Sequence, residues 1–349
     1  WELINFLYQE YPSKLKDNII KAGQNYRFTT REFLEMSEAI THIYCDIIKA
    51  CDPSNQASLV ACHGQTLWHR PPENTKKGAS LQTLQAPLLA VLTNRSIIYD
   101  FRAADLSLGG QGAPLFPLLD EALLGRVNGW RAVLNLGGIA NLSLIPPKCG
   151  KDRFRDVLGW DCGPANSLID LAVQKITNNK MQFDKDGLMA YKGKVNAFII
   201  ENCLKQKYFH DLPPKSTGRD KYGVEYLNEN FSELSELCDE DLIATLTTFT
   251  ASLIASDMDK LKDLSLPLPI ELLLAGGGSR NPFLFDKIAS FNKGIRVRSI
   301  DDLGVPFNAR EALGFALLGW WHVRHYKPDY KSITGAKRPS LLGIRVNPT

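Results

Sequence analysis

The chain of 349 residues is 44% hydrophobic and 23% charged, ordinary globular values for a length that can hold two core-bearing domains. Its net charge is +3, and lysine and arginine cluster only in short runs such as Lys76-Lys77 and Lys337-Arg338, so nucleic-acid binding has no electrostatic support. The most apolar stretch, Asp241 to Met258, is interrupted by threonine and serine, which argues against a membrane span and for a soluble protein.

The seven cysteines include no C-x-x-C pair and read as reduced thiols of a cytoplasmic protein. The chain opens on Trp1 rather than methionine, so a preceding segment, targeting included, stays open.

In chain order, Thr29-x-x-Glu32 forms a capping box for an amphipathic helix over 29–50, with Phe33, Ala39, Ile40 and Ile43 near helical spacing. Ala57–Cys62 reads as a short buried strand ending in His63-Gly64-Gln65-Thr66. Ser96–Phe101 reads as another, running into Arg102-Ala103-Ala104-Asp105 and the glycine-rich Leu108–Pro114. Strands that end in polar or glycine-rich loops, separated by helices, predict an α/β architecture with ligand chemistry at the strand ends.

Two apolar runs within Arg131–Ile145 flank Gly137-Gly138 and predict a hairpin whose unshielded backbone can approach a phosphate, an ordinary tight hairpin being the alternative. A boundary near this point divides the chain into a first domain, 1–130, and a second, 131–349, with the final helix free to return to the first.

Gly159-Trp160-Asp161-Cys162-Gly163-Pro164-Ala165-Asn166 places a carboxylate on a Gly/Pro turn opening into a helix, with Asn166 as N-cap and Ser167–Val173 as its apolar face. A helix N-terminus favours anions and bound phosphates. Asp161 there is a base, a metal ligand or a residue that caps the turn. Cys162 beside it is a nucleophile candidate, for which a small buried side chain is the plainer account.

Further on lie the loop Pro213–Asp220 and the strand Glu271–Ala275, which meets Gly276-Gly277-Gly278-Ser279-Arg280. Asn281 as N-cap and Pro282 at the first helical position start the next helix. Strand, triple glycine and capped helix together signal nucleotide contact, although neither G-x-G-x-x-G in register nor a G-K-[ST] P-loop is present. Phe307–Leu318 predicts a helix whose small residues Ala312, Gly314 and Ala316 suit close packing between two domains.

Taken together these segments resemble the anhydro-N-acetylmuramic acid kinases of the actin/hexokinase/Hsp70 superfamily. The resemblance runs from about His63 to Gly343. It rests on His63-Gly64-Gln65-Thr66-x-x-His69, Asp100-Phe101-Arg102-x-x-Asp105, Gly109-Gly110-Gln111-Gly112-Ala113-Pro114-Leu115 and Asn135-x-Gly137-Gly138-Ile139-Ala140-Asn141-Leu142. It continues through Asp161-x-Gly163-Pro164-x-Asn166, Pro214-Lys215-Ser216-Thr217-Gly218-Arg219, Gly276-Gly277-Gly278-Ser279-Arg280-Asn281 and Glu311-Ala312.

The resemblance implies two ribonuclease H-like α/β domains, the first incomplete at its N-terminus, with an active cleft between them. The glycine loops at Gly138 and Gly277 would face one another across it, with Asp161 between. It implies ATP and Mg²⁺ as cofactors and 1,6-anhydro-N-acetylmuramic acid as substrate, opened by water and phosphorylated at its freed 6-oxygen. Asp161 would be the general base. Glu311, Gln65, Arg102 and Asp105 would line the sugar site, an ion pair between Arg102 and Asp105 being as good an account of those two. Gly137, Gly138, Asn141, Gly276, Gly277 and Gly278 would cradle the nucleotide, while the metal ligands stay unassigned. A homodimer is compatible with this reading, and neither nucleic acid nor membrane is an expected partner.

The resemblance has one gap. A family loop of the form M-S-G-T-S-x-D-G-x-D, which grips phosphates and metal, has no counterpart here, so a fragment, a shortened protein and a catalytically impaired homologue all stay open. A catalytically silent sugar- or nucleotide-binding protein and a plain glycoside hydrolase using Asp161 and Glu311 are the other classes. The triple-glycine loop argues against the hydrolase, which needs no ATP cradle.

Overall fold

The computed structural model describes residues 2–23, 26–73, 76–213, 215–218, 221–230 and 237–348. Pro214, Arg219 and Asp220 of the predicted 213–220 loop lie outside the described residues. Ten strands run in chain order among these residues: β1 (Leu59–Ala61), β2 (Gln65–Arg70), β3 (Ala79–Thr83), β4 (Ser96–Tyr99), β5 (Arg131–Leu136), β6 (Ile139–Ile145), β7 (Leu158–Pro164), β8 (Glu271–Ala275), β9 (Arg296–Ser299) and β10 (Ile344–Val346).

The chain forms two compact units, 1–115 with 311–349, and 116–310. The division therefore falls at Leu115/Phe116 rather than at 130. The cause is the helix Phe116–Leu124, which packs on β6 and anchors there when the Ser143 hydroxyl donates to Asp120 at 2.7 Å.

In the first unit β4 pairs in parallel with β1 and antiparallel with β10. The helices Thr30–Cys51 and Ala86–Thr93 supply its core, in which Cys45, Cys62, Ala86, Leu89, Ala90 and Ile97 are buried together. The predicted capping box is present: Glu32 N–H donates to the Thr29 hydroxyl at 3.2 Å, and the Glu32 carboxylate accepts from Thr29 N–H at 2.7 Å. β2 and β3 form a separate hairpin.

The second unit holds a five-stranded sheet in the order β7-β6-β5-β8-β9. β5, β6 and β7 form an antiparallel meander, and β8 and β9 run parallel to β5. Three meander strands followed by two parallel ones is the ribonuclease H-like order. The interior strand β8, between β5 and β9, is buried along its whole length, as a strand covered on both faces must be.

The helix Asp239–Asp259 packs beneath this sheet, and its threonines are interior. Thr247 donates to Ile243 O at 2.7 Å, Thr250 to Pro164 O at 3.2 Å, and Thr245 accepts Asn196 N–H at 3.0 Å. A helix can thus be buried almost all round without being a membrane segment, because its hydroxyls find partners in protein. No helix among the described residues is long and apolar enough to cross a membrane.

Candidate active site

Asp161 lies in the second unit, inside β7 opposite Asn141 of β6. The Gly/Pro turn expected from sequence is strand instead: the ladder continues to Pro164, paired with Ile139, and a register shift between Ala140 and Asn141 sits beside the carboxylate. Such an irregularity re-aims a side chain locally. Asn166 is not the N-cap either. The helix Asn166–Ile176 is preceded by Ala165, and the Asn166 amide donates to Leu136 O at 2.9 Å.

The helix start is closed by the hairpin rather than left for an anion. Gly138 O accepts from Ala165 N–H at 2.9 Å and Ser167 N–H at 3.1 Å, and Gly137 O accepts from Asn166 N–H at 3.0 Å. These carbonyls satisfy amides that a helix terminus otherwise leaves orphaned. The anion site expected there is already filled by backbone.

Asp161 is 6% exposed and richly held. One oxygen accepts from the Asn141 amide; the other accepts from the Ser216 hydroxyl and from Thr217 N–H, both at 2.9 Å. Its main chain is fixed as well, since Asp161 N–H donates to Lys215 O at 3.0 Å and Asp161 O accepts from the Tyr208 hydroxyl at 2.8 Å. Burial raises the carboxyl above its usual range; the Thr217 amide, the Ser216 hydroxyl, the Asn141 amide and the Lys215 charge oppose that rise. A fixed, buried carboxylate of raised proton affinity has the makings of a general base.

Cys162, 1% exposed, is no nucleophile: burial first, then the neighbouring Asp257, push its thiol well above the ordinary range, so a thiolate does not form there.

The two glycine loops do not face one another across a gap. β5 and β8 are parallel neighbours, and both loops leave the same edge of one sheet. A Cβ on Gly276 would meet Asn135 Oδ1 at 2.7 Å and Leu136 O at 2.9 Å, and its φ of +78° is a glycine conformation. Only glycine lets the loop lie this close to the hairpin. Beyond it, the Asn281 side chain accepts from Leu284 N–H at 3.1 Å and starts the helix Pro282–Phe291 as predicted.

A cavity of about 350 Å³ opens beside Gly277 and Gly278, lined also by Asn166, Asp170, Arg280 and Phe307, and its size is that of a small-ligand pocket. The Arg280 guanidinium covers the Phe307 ring at 4.7 Å. Asn141, grouped from sequence with the nucleotide loops, commits its amide to Asp161 instead.

The remaining predicted residues belong to the first unit. Arg102 donates through Nε and Nη2 to His63 Nε2 at 3.2 and 3.1 Å, and through Nη1 to Gly112 O at 2.6 Å. Burial, then the Arg102 charge, push His63 down to about 3, so its ring is neutral and Nε2 accepts. His63 stacks on Phe315 at 4.6 Å, and Phe315 is one turn from exposed Glu311 on the helix Arg310–Val323. The Glu311 charge acts on Arg102, so these groups form one constellation.

Asp105 has a different task. It is 0% exposed, accepting Gly112 N–H at 2.7 Å and the Thr334 hydroxyl at 2.7 Å, and so builds the glycine-rich loop rather than facing a ligand. Arg102 and Asp105 form no ion pair; each is committed elsewhere. Gln65 opens β2 half-buried, its amide donating to Thr66 O at 3.3 Å.

No role for His63, Tyr208, Lys215, Ser216 or Thr217 follows from the sequence, although all but Tyr208 stand in the quoted motifs. Nothing in the sequence marks Asp257 either.

A ribonuclease H-like unit with glycine loops at one sheet edge and a held carboxylate beside them fits the actin/hexokinase/Hsp70 fold class. A family model described as anhydro-N-acetylmuramic acid kinase matches residues 1–348. The protein of that name from Prochlorococcus marinus (strain MIT 9303) is 52% identical over 348 residues, covering 100% of this chain and 92% of its own. That of Synechococcus sp. (strain CC9902) is 50% identical over 349 residues with the same coverage. The chain belongs to the anhydro-N-acetylmuramic acid kinase family. Among solved structures, the activator of the 2-hydroxyisocaproyl-CoA dehydratase from Clostridium difficile with bound ADPNP matches with a TM-score of 0.36 and 15% identity, covering 66% of this chain and 68% of its own. That likeness carries no part of the assignment.

Proposed function

We propose that this chain is an ATP-dependent kinase of cell-wall sugar recycling in the cytoplasm. It opens 1,6-anhydro-N-acetylmuramic acid with water and phosphorylates the freed 6-hydroxyl, giving N-acetylmuramic acid 6-phosphate and ADP. The observation that carries the reading is the Asp161 carboxylate, held by three donors and raised in proton affinity by burial.

In this scheme Asp161 takes a proton from water as the water oxygen bonds to the anomeric carbon and the bond to the bridging 6-oxygen breaks. The released oxygen then attacks the γ-phosphorus and ADP leaves, a transfer that needs positioning and charge neutralisation above all. Glu311, Arg102 and Gln65 would contact the sugar. Mg²⁺ would be held chiefly by the phosphate oxygens of the nucleotide. Among the described residues no three histidine, cysteine or carboxylate side chains converge on one point.

The decisive assay follows ADP and sugar together. Stoichiometric ADP and phosphosugar from ATP and the anhydro sugar are expected; opening of the sugar without ADP would make the protein a hydrolase, and binding without either product a silent homologue.

The 276–278 loop would contact the adenosine half of ATP. A Cβ on Gly277 meets nothing within 4 Å, so Gly277→Val disturbs the chain itself little. We expect the apparent ATP affinity to weaken by roughly tenfold or more, about 1.4 kcal/mol, with sugar binding and melting temperature unchanged. Weakened sugar binding with intact ATP binding would mean the two sites are exchanged.

A further inference from the structure

We propose that Lys215, paired with Asp257, is the positioning residue that holds the 215–217 loop on Asp161 and keeps that carboxylate ionised. This rests on the reading of Asp161 as the base.

Asp257 sits in the last turn of the helix Asp239–Asp259 and is 2% exposed. Its Oδ1 accepts from Lys215 Nζ at 3.0 Å and Lys260 Nζ at 2.6 Å, and its Oδ2 accepts from Trp160 Nε1 at 2.8 Å. Trp160 and Cys162 flank Asp161 in β7, so their side chains leave the sheet on the face opposite to it. One carboxylate therefore grips the strand from behind the base and, through Lys215, the root of the loop in front of it. That loop supplies the Ser216 hydroxyl and Thr217 N–H to Asp161.

A buried lysine is costly unless paired, and Lys215 is buried to 4% side-chain exposure with its ammonium 5.0 Å from the Tyr208 ring. Loop anchoring alone would be served by an apolar side chain of that length. Charge is the better reason. Lys215 and Lys260 share the single Asp257 carboxylate, and the set becomes neutral when Asp161 is ionised. The titratable groups acting on Asp161 are Lys215, Tyr208, Tyr222 and Cys162; Asp257 and Lys260 act on Lys215, whose own proton affinity burial lowers and Asp257 restores in part. Burial pushes both phenols and the thiol up, Tyr222 to about 12, so they stay neutral near neutral pH. Lys215 is the cation among them, opposing the burial that favours a protonated Asp161.

The test uses Lys215→Met, Lys215→Arg and Asp257→Asn in the full chain, with kcat, both KM values, the pH profile of kcat/KM and a thermal melt for each. For Lys215→Met we expect kcat to fall about ten- to a hundredfold, KM values to change little, and the acidic limb to move to higher pH. Lys215→Arg should restore most of the rate. Asp257→Asn, which keeps volume but leaves the lysines without their carboxylate, should move the limb to lower pH. If Lys215→Met does not fold, Asp257→Asn decides alone.

An unmoved acidic limb in the folded variants, or losses that follow only the folded fraction, would overturn the proposal. Asp161→Asn run beside them separates the two ideas. If it is inactive while the limb stays put, only the role of Lys215 fails; if it keeps turnover, the base itself is wrong.

Discussion

Asp161→Asn should lower turnover by about 10²- to 10⁴-fold, the range typical of lost general-base catalysis, while both substrates still bind. The substitution keeps size and strand geometry. Its amide oxygen can still accept from Ser216 or Thr217, but it cannot take a proton from water. The Asn141 amide, which donates to the carboxylate, has only to turn its oxygen toward the new amide. The stability change should therefore stay near 1 kcal/mol, the size of one exchanged hydrogen bond. The same logic sets the acid side of the pH profile. Burial raises the folded Asp161 above an ordinary aspartate, so the base form is lost, as pH falls, sooner than a free carboxylate would lose it. Kinetics and a melt on one purified sample decide: turnover nearly intact with a large drop in melting temperature would leave Asp161 a structural residue.

The largest stability loss is expected at Asp120→Ala. Arg310 donates to Asp120 through Nε at 3.0 Å and Nη2 at 2.5 Å, and the two side chains are 6% and 2% exposed. Removing the carboxylate strands a buried guanidinium, a change that costs about 3–5 kcal/mol. The Ser143 hydroxyl loses its acceptor too. Urea denaturation should show the midpoint falling accordingly. The double variant Asp120→Leu with Arg310→Met should recover much of the loss, because two apolar side chains leave no unpaired charge. A single-variant loss below about 1 kcal/mol would show that the guanidinium finds water instead.

What could be read from sequence divides along the range of the forces involved. The Thr29–Glu32 box, the Gly137-Gly138 hairpin and the Asn281-Pro282 helix start are set by neighbours a few residues apart, and each forms as read. Asp161 went to a strand rather than a turn because β6 pairs with β7 through Pro164, a tertiary bond stronger than the local Gly/Pro preference. Asn166 lost its cap role because hairpin carbonyls reach the helix first. The relative placement of the glycine loops depends on which strands are neighbours, and no single segment states that. Asp257 was hidden for the same reason: it meets Trp160 across 97 residues, and nothing in its own helix distinguishes it.

The position of Arg310 has one more consequence. The chain enters the second unit at Phe116 and leaves it at Arg310, and the Arg310 guanidinium lies 4.5 Å from the Phe116 ring. The second unit is thus a continuous insert whose two ends are fastened together. Residues 116–310 can be cut out as one gene segment, and a short linker across the fastened ends would give permuted versions with new termini in exposed loops.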